Sequence, residues 1–200
     1  DLVYHFHRQI SFVALILILS HPLLLFIFSP QTLALLNVFN APWRARFAVL
    51  AVLSLIALVI FSVWRKKLKI DYYSWRIWHG ILSVVAVGAA LVHVELAGYY
   101  VSTPFKKALW VIYTVFWVGL LLYTRLIKPW WLKRHPYRVV EVKEERGNTW
   151  TLTLEPVGHK GIKFHPGQFC WINVGSSPFS EKEHPFSISS SAAKSGQISF

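Results

Sequence analysis

Through residue 134 the chain alternates long apolar runs with short polar or basic breaks, and after Pro136 the pattern changes. Four apolar runs predict membrane-crossing helices at about 9–28, 47–63, 77–97 and 108–127, each near the ~20 residues that span a bilayer. The first is interrupted by Ser20-His21-Pro22, where the proline is expected to kink the helix and let the histidine leave the regular ladder. A connection with an amphipathic piece, QTLALLNVFN, leads to the second run, Phe47 to Val63, which reads as aliphatic and free of ligands. Trp64 and the run RKKLK close it. The third run carries His79 and His93, and the fourth, rich in Trp and Tyr, follows YYVSTPFKK. Beyond Pro136, YRVVEVKEERGNTWTLTLEPVG alternates apolar and polar residues around a Gly-Asn turn, as a β-hairpin does. FHPGQFCWINVG, HPFSISSS and GQISF read as further strands. The pattern therefore predicts a membrane all-α helical bundle over 1–134, followed over 135–200 by the start of a β-barrel-like domain.

Composition strengthens the membrane reading. Of the 200 residues 54% are hydrophobic, with ten Trp and fourteen Phe, which is unusual for one soluble domain. Residues 1–134 hold 14 Lys/Arg and 3 Asp/Glu, and 135–200 hold 7 and 6, so the basic excess belongs to the apolar half. It sits at the ends of the spans, where topology and anionic lipid explain it better than a nucleic-acid partner. Arg8, Arg65, Lys66, Lys67, Lys69, Arg76, Arg125, Lys128, Lys133 and Arg134 fall on one side; Arg44, Arg46, Lys106 and Lys107 fall on the other. The positive-inside rule puts the first set, and the strands that follow it, in the cytoplasm. Trp64, Trp75, Trp78, Trp130 and Trp131 gather on that side as an interfacial belt. The single cysteine, Cys170, excludes an internal disulfide and a Cys-based iron–sulfur or zinc site, and reads as a small core residue. No signal peptide is seen. With no Met and a start almost inside an apolar helix, the chain reads as an excerpt of something longer.

Histidines add candidate chemistry. His7 and His21 are fourteen residues apart, and so are His79 and His93. Fourteen helical residues rise about 21 Å and turn about 1400°, close to four full turns, so each pair shares a helix face. Both helices run from inside to outside, which sets His7 level with His79 and His21 level with His93. Ionisable groups inside a span are costly and mark function. Neutral imidazole is a suitable axial ligand for haem iron, so the set predicts two bis-His haems, with irons about 20 Å apart. His5 is sixteen residues from His21, on nearly the opposite face, and reads as an interfacial bystander. Glu95 faces away from the ligand side. Arg8 and Arg76 lie near the inner histidines, where propionate pairing and a plain topological role are both open.

HRQISFVALILILSHPLLL, WRIWHGILSVVAVGAALVHV and HPFSISS together resemble the ferric reductase-like transmembrane family, which includes NADPH oxidases and ferric-chelate reductases. The resemblance covers nearly the whole chain. It implies six membrane helices, of which the four here correspond to the last four, then a ferredoxin-reductase-type FAD domain and a NAD(P)H domain. By the same resemblance His184, Pro185, Phe186 and Ser187 line the flavin, with Ser189 near it, and His165-Pro166-Gly167-Gln168 is a structural turn before that strand. His135 and His159 read as exposed linker and loop residues. The implied cofactors are two haem b and FAD, with NAD(P)H as donor at a site outside this chain. The implied activity carries electrons across the membrane to O2 or a ferric chelate on the outer face of the plasma membrane. The expected partners are the lipid bilayer and a small-molecule acceptor, with no nucleic acid. No residue here is singled out as catalytic. A quinone- or partner-linked electron-transfer subunit is the alternative. A non-redox transporter would explain the spans but not the histidine pairs.

Overall fold

The computed structural model describes residues 2–175, 177, 179–180, 182–192 and 196–200. Its contacts divide the chain into two units, 1–114 and 115–200.

The first unit contains α1 (Leu2–Phe28), α2 (Trp43–Val63), α3 (Tyr72–Ala97) and the beginning of α4 (Pro104–Leu122). All four helices are long and apolar enough to cross a membrane, the fourth as part of a helical stretch over Pro104–Arg134. α1 begins some residues before the predicted span and runs unbroken through Pro22. The Ser20 hydroxyl donates to the Leu17 carbonyl just before that proline, 2.7 Å away. Large apolar side chains face outward: Ile16 is 67% exposed. In water such a surface would aggregate, whereas in lipid it is the required one.

α2 and α3 form the closest helix pair. Their buried residues are small, Ala45 and Ser54 on α2 and Ala86 and Ala89 on α3. Small side chains let membrane helices approach closely where no hydrophobic force drives them together. Asp71 starts α3 by accepting a hydrogen bond from the Ser74 N–H at 2.9 Å, and the Ser74 hydroxyl, together with that N–H, holds its carboxyl below the usual aspartate range. Gly98 ends the helix at φ 76°, a left-handed C-terminal cap.

In the second unit, α4 passes through a π turn at Tyr123–Ile127 into α5 (Lys128–Arg134). The cause lies just beyond. Pro129 has no N–H for the carbonyl four residues back, and its ring crowds that carbonyl, so the turn widens and Lys128 N bonds Tyr123 O instead. Strand β1 (Tyr137–Glu145) pairs antiparallel with β2 (Thr149–Pro156), and β2 with β5 (Ile198–Ser199). The predicted hairpin turn holds Gly147 at φ 81° and Asn148 at φ 57°, residues that tolerate the left-handed region. Strand β3 (Phe169–Ile172) pairs with β4 (His184–Ser187) in a separate two-stranded sheet. The sheet order is thus β1-β2-β5 and β3-β4, and no closed barrel forms among the described residues. Closure would need every edge strand paired, and here β2 takes its second neighbour from β5 while β3 and β4 pair only with each other.

Candidate functional site

α3 positions two of the candidate ligands, and α2 fixes both of them. His93 on α3 brings Nδ1 within 2.8 Å of the Arg44 carbonyl at the start of α2. A carbonyl only accepts, so Nδ1 carries the proton and Nε2 carries the lone pair. His79 has Nδ1 3.1 Å from the Ser62 hydroxyl, near the end of α2. That hydroxyl donates its one proton to the Leu58 carbonyl at 2.7 Å, so it accepts from His79. His79 is thereby the same tautomer, with Nε2 again free to bind a metal. Trp75, one turn before His79, donates its indole N–H to the same oxygen at 3.3 Å and lies against the imidazole, ring centres 5.1 Å apart.

α1 brings His7 to His79, with ring centres 6.3 Å apart and planes at 75°. An imidazole nitrogen sits about 2 Å from a metal it binds and about 1 Å from its own ring centre, so two rings on opposite sides of one metal have centres about 6 Å apart. His5 instead lies against Tyr4, at 5.8 Å. His21 is exposed on α1, and among the described residues no ring contact or hydrogen bond joins it to His93. The inner pair is thus brought together, while the outer pair is joined by no such contact.

Among the described residues no group of three or more His, Cys, Asp or Glu gathers as a metal site. Two imidazoles alone leave a bare ion under-coordinated. They suit a metal whose other positions come from its own macrocycle, as in haem. Metal-binding histidines ordinarily give their second ring N–H to a neighbouring acceptor, as His79 and His93 do. The residues present therefore fit a haem at the inner level, and His93 has the proton arrangement of an axial ligand.

Sequence reasoning missed Ser62 and the Arg44 carbonyl, and it assigned Trp75 to the interfacial belt. The second span is not purely aliphatic: Ser54 is buried in the α2–α3 seam, and Ser62 meets His79. Trp75 was findable, since it precedes His79 by four residues on one helix face. A repeat was also in view: His7 and His79 are each followed four residues later by a serine, Ser11 and Ser83, whose hydroxyl returns to the histidine carbonyl at 2.6 Å. Arg46 does not extend freely into the outer loops. Its guanidinium donates to the Ala41 and Phe39 carbonyls, both at 2.8 Å, and lies over Trp43.

Residues 1–90 match the family described as ferric reductase like transmembrane component. Over these residues the chain is similar to that family. An uncharacterized protein of Archaeoglobus fulgidus is 31% identical over 108 residues, which cover 50% of this chain and 58% of that protein. The match thus spans little more than half of that relative's length.

The candidate flavin residues are assembled separately, in the second unit. β4 places His184, Pro185, Phe186 and Ser187 opposite Ile172, Trp171, Cys170 and Phe169. All four β4 residues are exposed, and Phe186 lies 6.2 Å from Phe200, ring centre to ring centre. Ser189 is exposed and anchored through its backbone, N–H to the Ser199 carbonyl at 2.8 Å. An exposed strand with a partly covered aromatic ring and hydroxyls beside it fits the edge of a flat ring cofactor. An open apolar hollow of about 300 Å³ is lined by Leu126, Ile127, Trp130 and Phe179, and no β4 residue borders it. The turn at His165 is structural: His165 N–H bonds the Gln168 side chain at 2.8 Å, and Gln168 N–H returns to the His165 carbonyl at 3.2 Å. His135 and His159 are more than exposed linker residues. His135 stacks on Trp131 at 4.0 Å, while His159 donates to the Pro136 carbonyl at 2.9 Å and accepts from Gly161 N–H at 3.1 Å.

Proposed function

We propose that this chain, a set of membrane helices followed by flavin-binding strands, is part of a transmembrane oxidoreductase that carries electrons from cytosolic NAD(P)H to an acceptor on the outer face of the plasma membrane. The observation that carries the reading is the inner histidine pair, with ring centres 6.3 Å apart and His79 anchored through Nδ1 so that Nε2 is free. Bound haem b and FAD would supply the one-electron and hydride chemistry. The chain's part is to hold them. His7 and His79 would hold the inner haem, and His21 and His93 the outer one. Two imidazoles per iron leave no open position, which favours electron transfer over ligand binding. His184, Pro185, Phe186, Ser187 and Ser189 are the flavin-facing edge. O2 and ferric chelates are the acceptors that the resemblance to the ferric reductase-like family suggests.

The test is haem content in the purified full-length protein. His79→Ala and His93→Ala are each expected to lose one of two haems in the reduced-minus-oxidised spectrum; both haems intact in both variants would overturn the ligand assignment. With NADPH or NADH supplied, superoxide-dismutase-sensitive cytochrome c reduction compared with ferric-chelate reduction identifies the acceptor.

A further inference from the structure

We infer that Ser62, on a helix that carries no ligand, is the positioning residue of the inner haem site: its hydroxyl oxygen holds the Nδ1–H of His79, keeps Nε2 directed to the metal, and sets how strongly that imidazole donates. The inference rests on the reading that His7 and His79 hold a haem.

The hydroxyl is used to capacity. A serine hydroxyl has one proton and two lone pairs. Here the proton goes to the Leu58 carbonyl, one lone pair faces His79 Nδ1 and the other faces Trp75 Nε1. The Leu58 bond is local to α2, so it fixes the oxygen's direction independently of α3. The two accepted bonds then fasten α3 to it. Trp75 restrains the ring a second way, lying against it at 5.1 Å and 43°. At the other end of the seam the Arg44 carbonyl does for His93 what Ser62 does for His79. α2 therefore orients both imidazoles of α3 while contributing no ligand.

Chemical consequences follow from the acceptor. An acceptor on Nδ1–H raises the basicity of the ring's other nitrogen. A more basic axial ligand favours the ferric state and lowers the reduction potential. In the low dielectric of a membrane span such a hydrogen bond is stronger than in water, and an unpaired N–H is correspondingly costly. Without the Ser62 oxygen, Nδ1–H and the indole N–H both lose their acceptor.

The experiment uses full-length, haem-loaded protein with Ser62→Ala and the conservative Ser62→Thr. Each is also placed in a His93→Ala background, so that the optical redox titration reads the inner haem alone. Ser62→Ala is expected to shift the inner midpoint potential positive, with Ser62→Thr near the unsubstituted value. Loss of the inner haem in Ser62→Ala with retention in Ser62→Thr equally supports positioning. Full haem with an unchanged or more negative midpoint in Ser62→Ala overturns the proposal, as does equal haem loss in both variants. An unsubstituted protein without haem, or a His79→Ala variant that retains both haems, overturns the haem reading itself and this proposal with it.

Discussion

A histidine's chemistry depends on which nitrogen holds the proton, and in this chain two neighbouring acceptors decide that. The Arg44 carbonyl decides it for His93, and the Ser62 hydroxyl, committed to Leu58, decides it for His79. Cys170 illustrates the same dependence on surroundings. It pairs with Phe186 across β3 and β4, and burial pushes its thiol up from the ordinary value. A raised value favours the neutral thiol in the folded protein. The associated stability is present below the unfolded thiol's titration near pH 8.5, and is lost as pH rises through the folded value. Because the thiolate is the nucleophile, iodoacetamide should modify Cys170 more slowly at pH 8 in the folded protein than in denaturant, with the two rates converging at higher pH. Equal rates at pH 8 would show that the strand pair gives no such protection. The histidine spacing could be read in the sequence because helical periodicity is local. Ser62 could not. It meets His79 across seventeen residues of separation, and nothing in the run FSV shows which helix its hydroxyl will face.

Among the elements, the α2–α3 seam carries the site. Ala45, Ser54, Ala86 and Ala89 bring the two backbones close enough for a serine hydroxyl and a backbone carbonyl to reach imidazoles on the facing helix. Ala89→Leu, four residues before His93, is expected to destabilise the protein by about 1–3 kcal/mol through overpacking. Thermal unfolding in detergent should show a lower midpoint, while Ile16→Ala, at a position 67% exposed, leaves it nearly unchanged. An Ala89→Leu variant as stable as the parent would mean that the seam is not closely packed. The spans and the hairpin were legible because apolar length and strict alternation are properties of contiguous residues. The pairing of β5 with β2, and of β3 with β4, was not. Alternation says which side chains share a face, not which strand lies alongside.

For the molecule as a whole, charge sets the direction through the membrane. Cations lie over aromatic rings at span ends: Arg65 over Tyr72 and Trp75, Arg46 over Trp43, Lys106 over Tyr99, and Arg134 over Trp130. Such rings suit the headgroup level. In a Cys170→Ala background, Lys107→Cys should react with an impermeant maleimide on intact cells, and Lys66→Cys only after permeabilisation; the opposite pattern would reverse the topology. The π turn before Pro129 adds a further consequence. Side chains of an α-helix advance about 100° per residue, and a π turn contains one residue more than a regular one. Tyr123–Ile127 therefore acts as a phase shifter. Trp130, Trp131 and Arg134 point about 100° from the headings that an uninterrupted helix would give them. Removing a single residue there would leave composition and span length almost untouched, yet turn the whole of α5 to a new bearing.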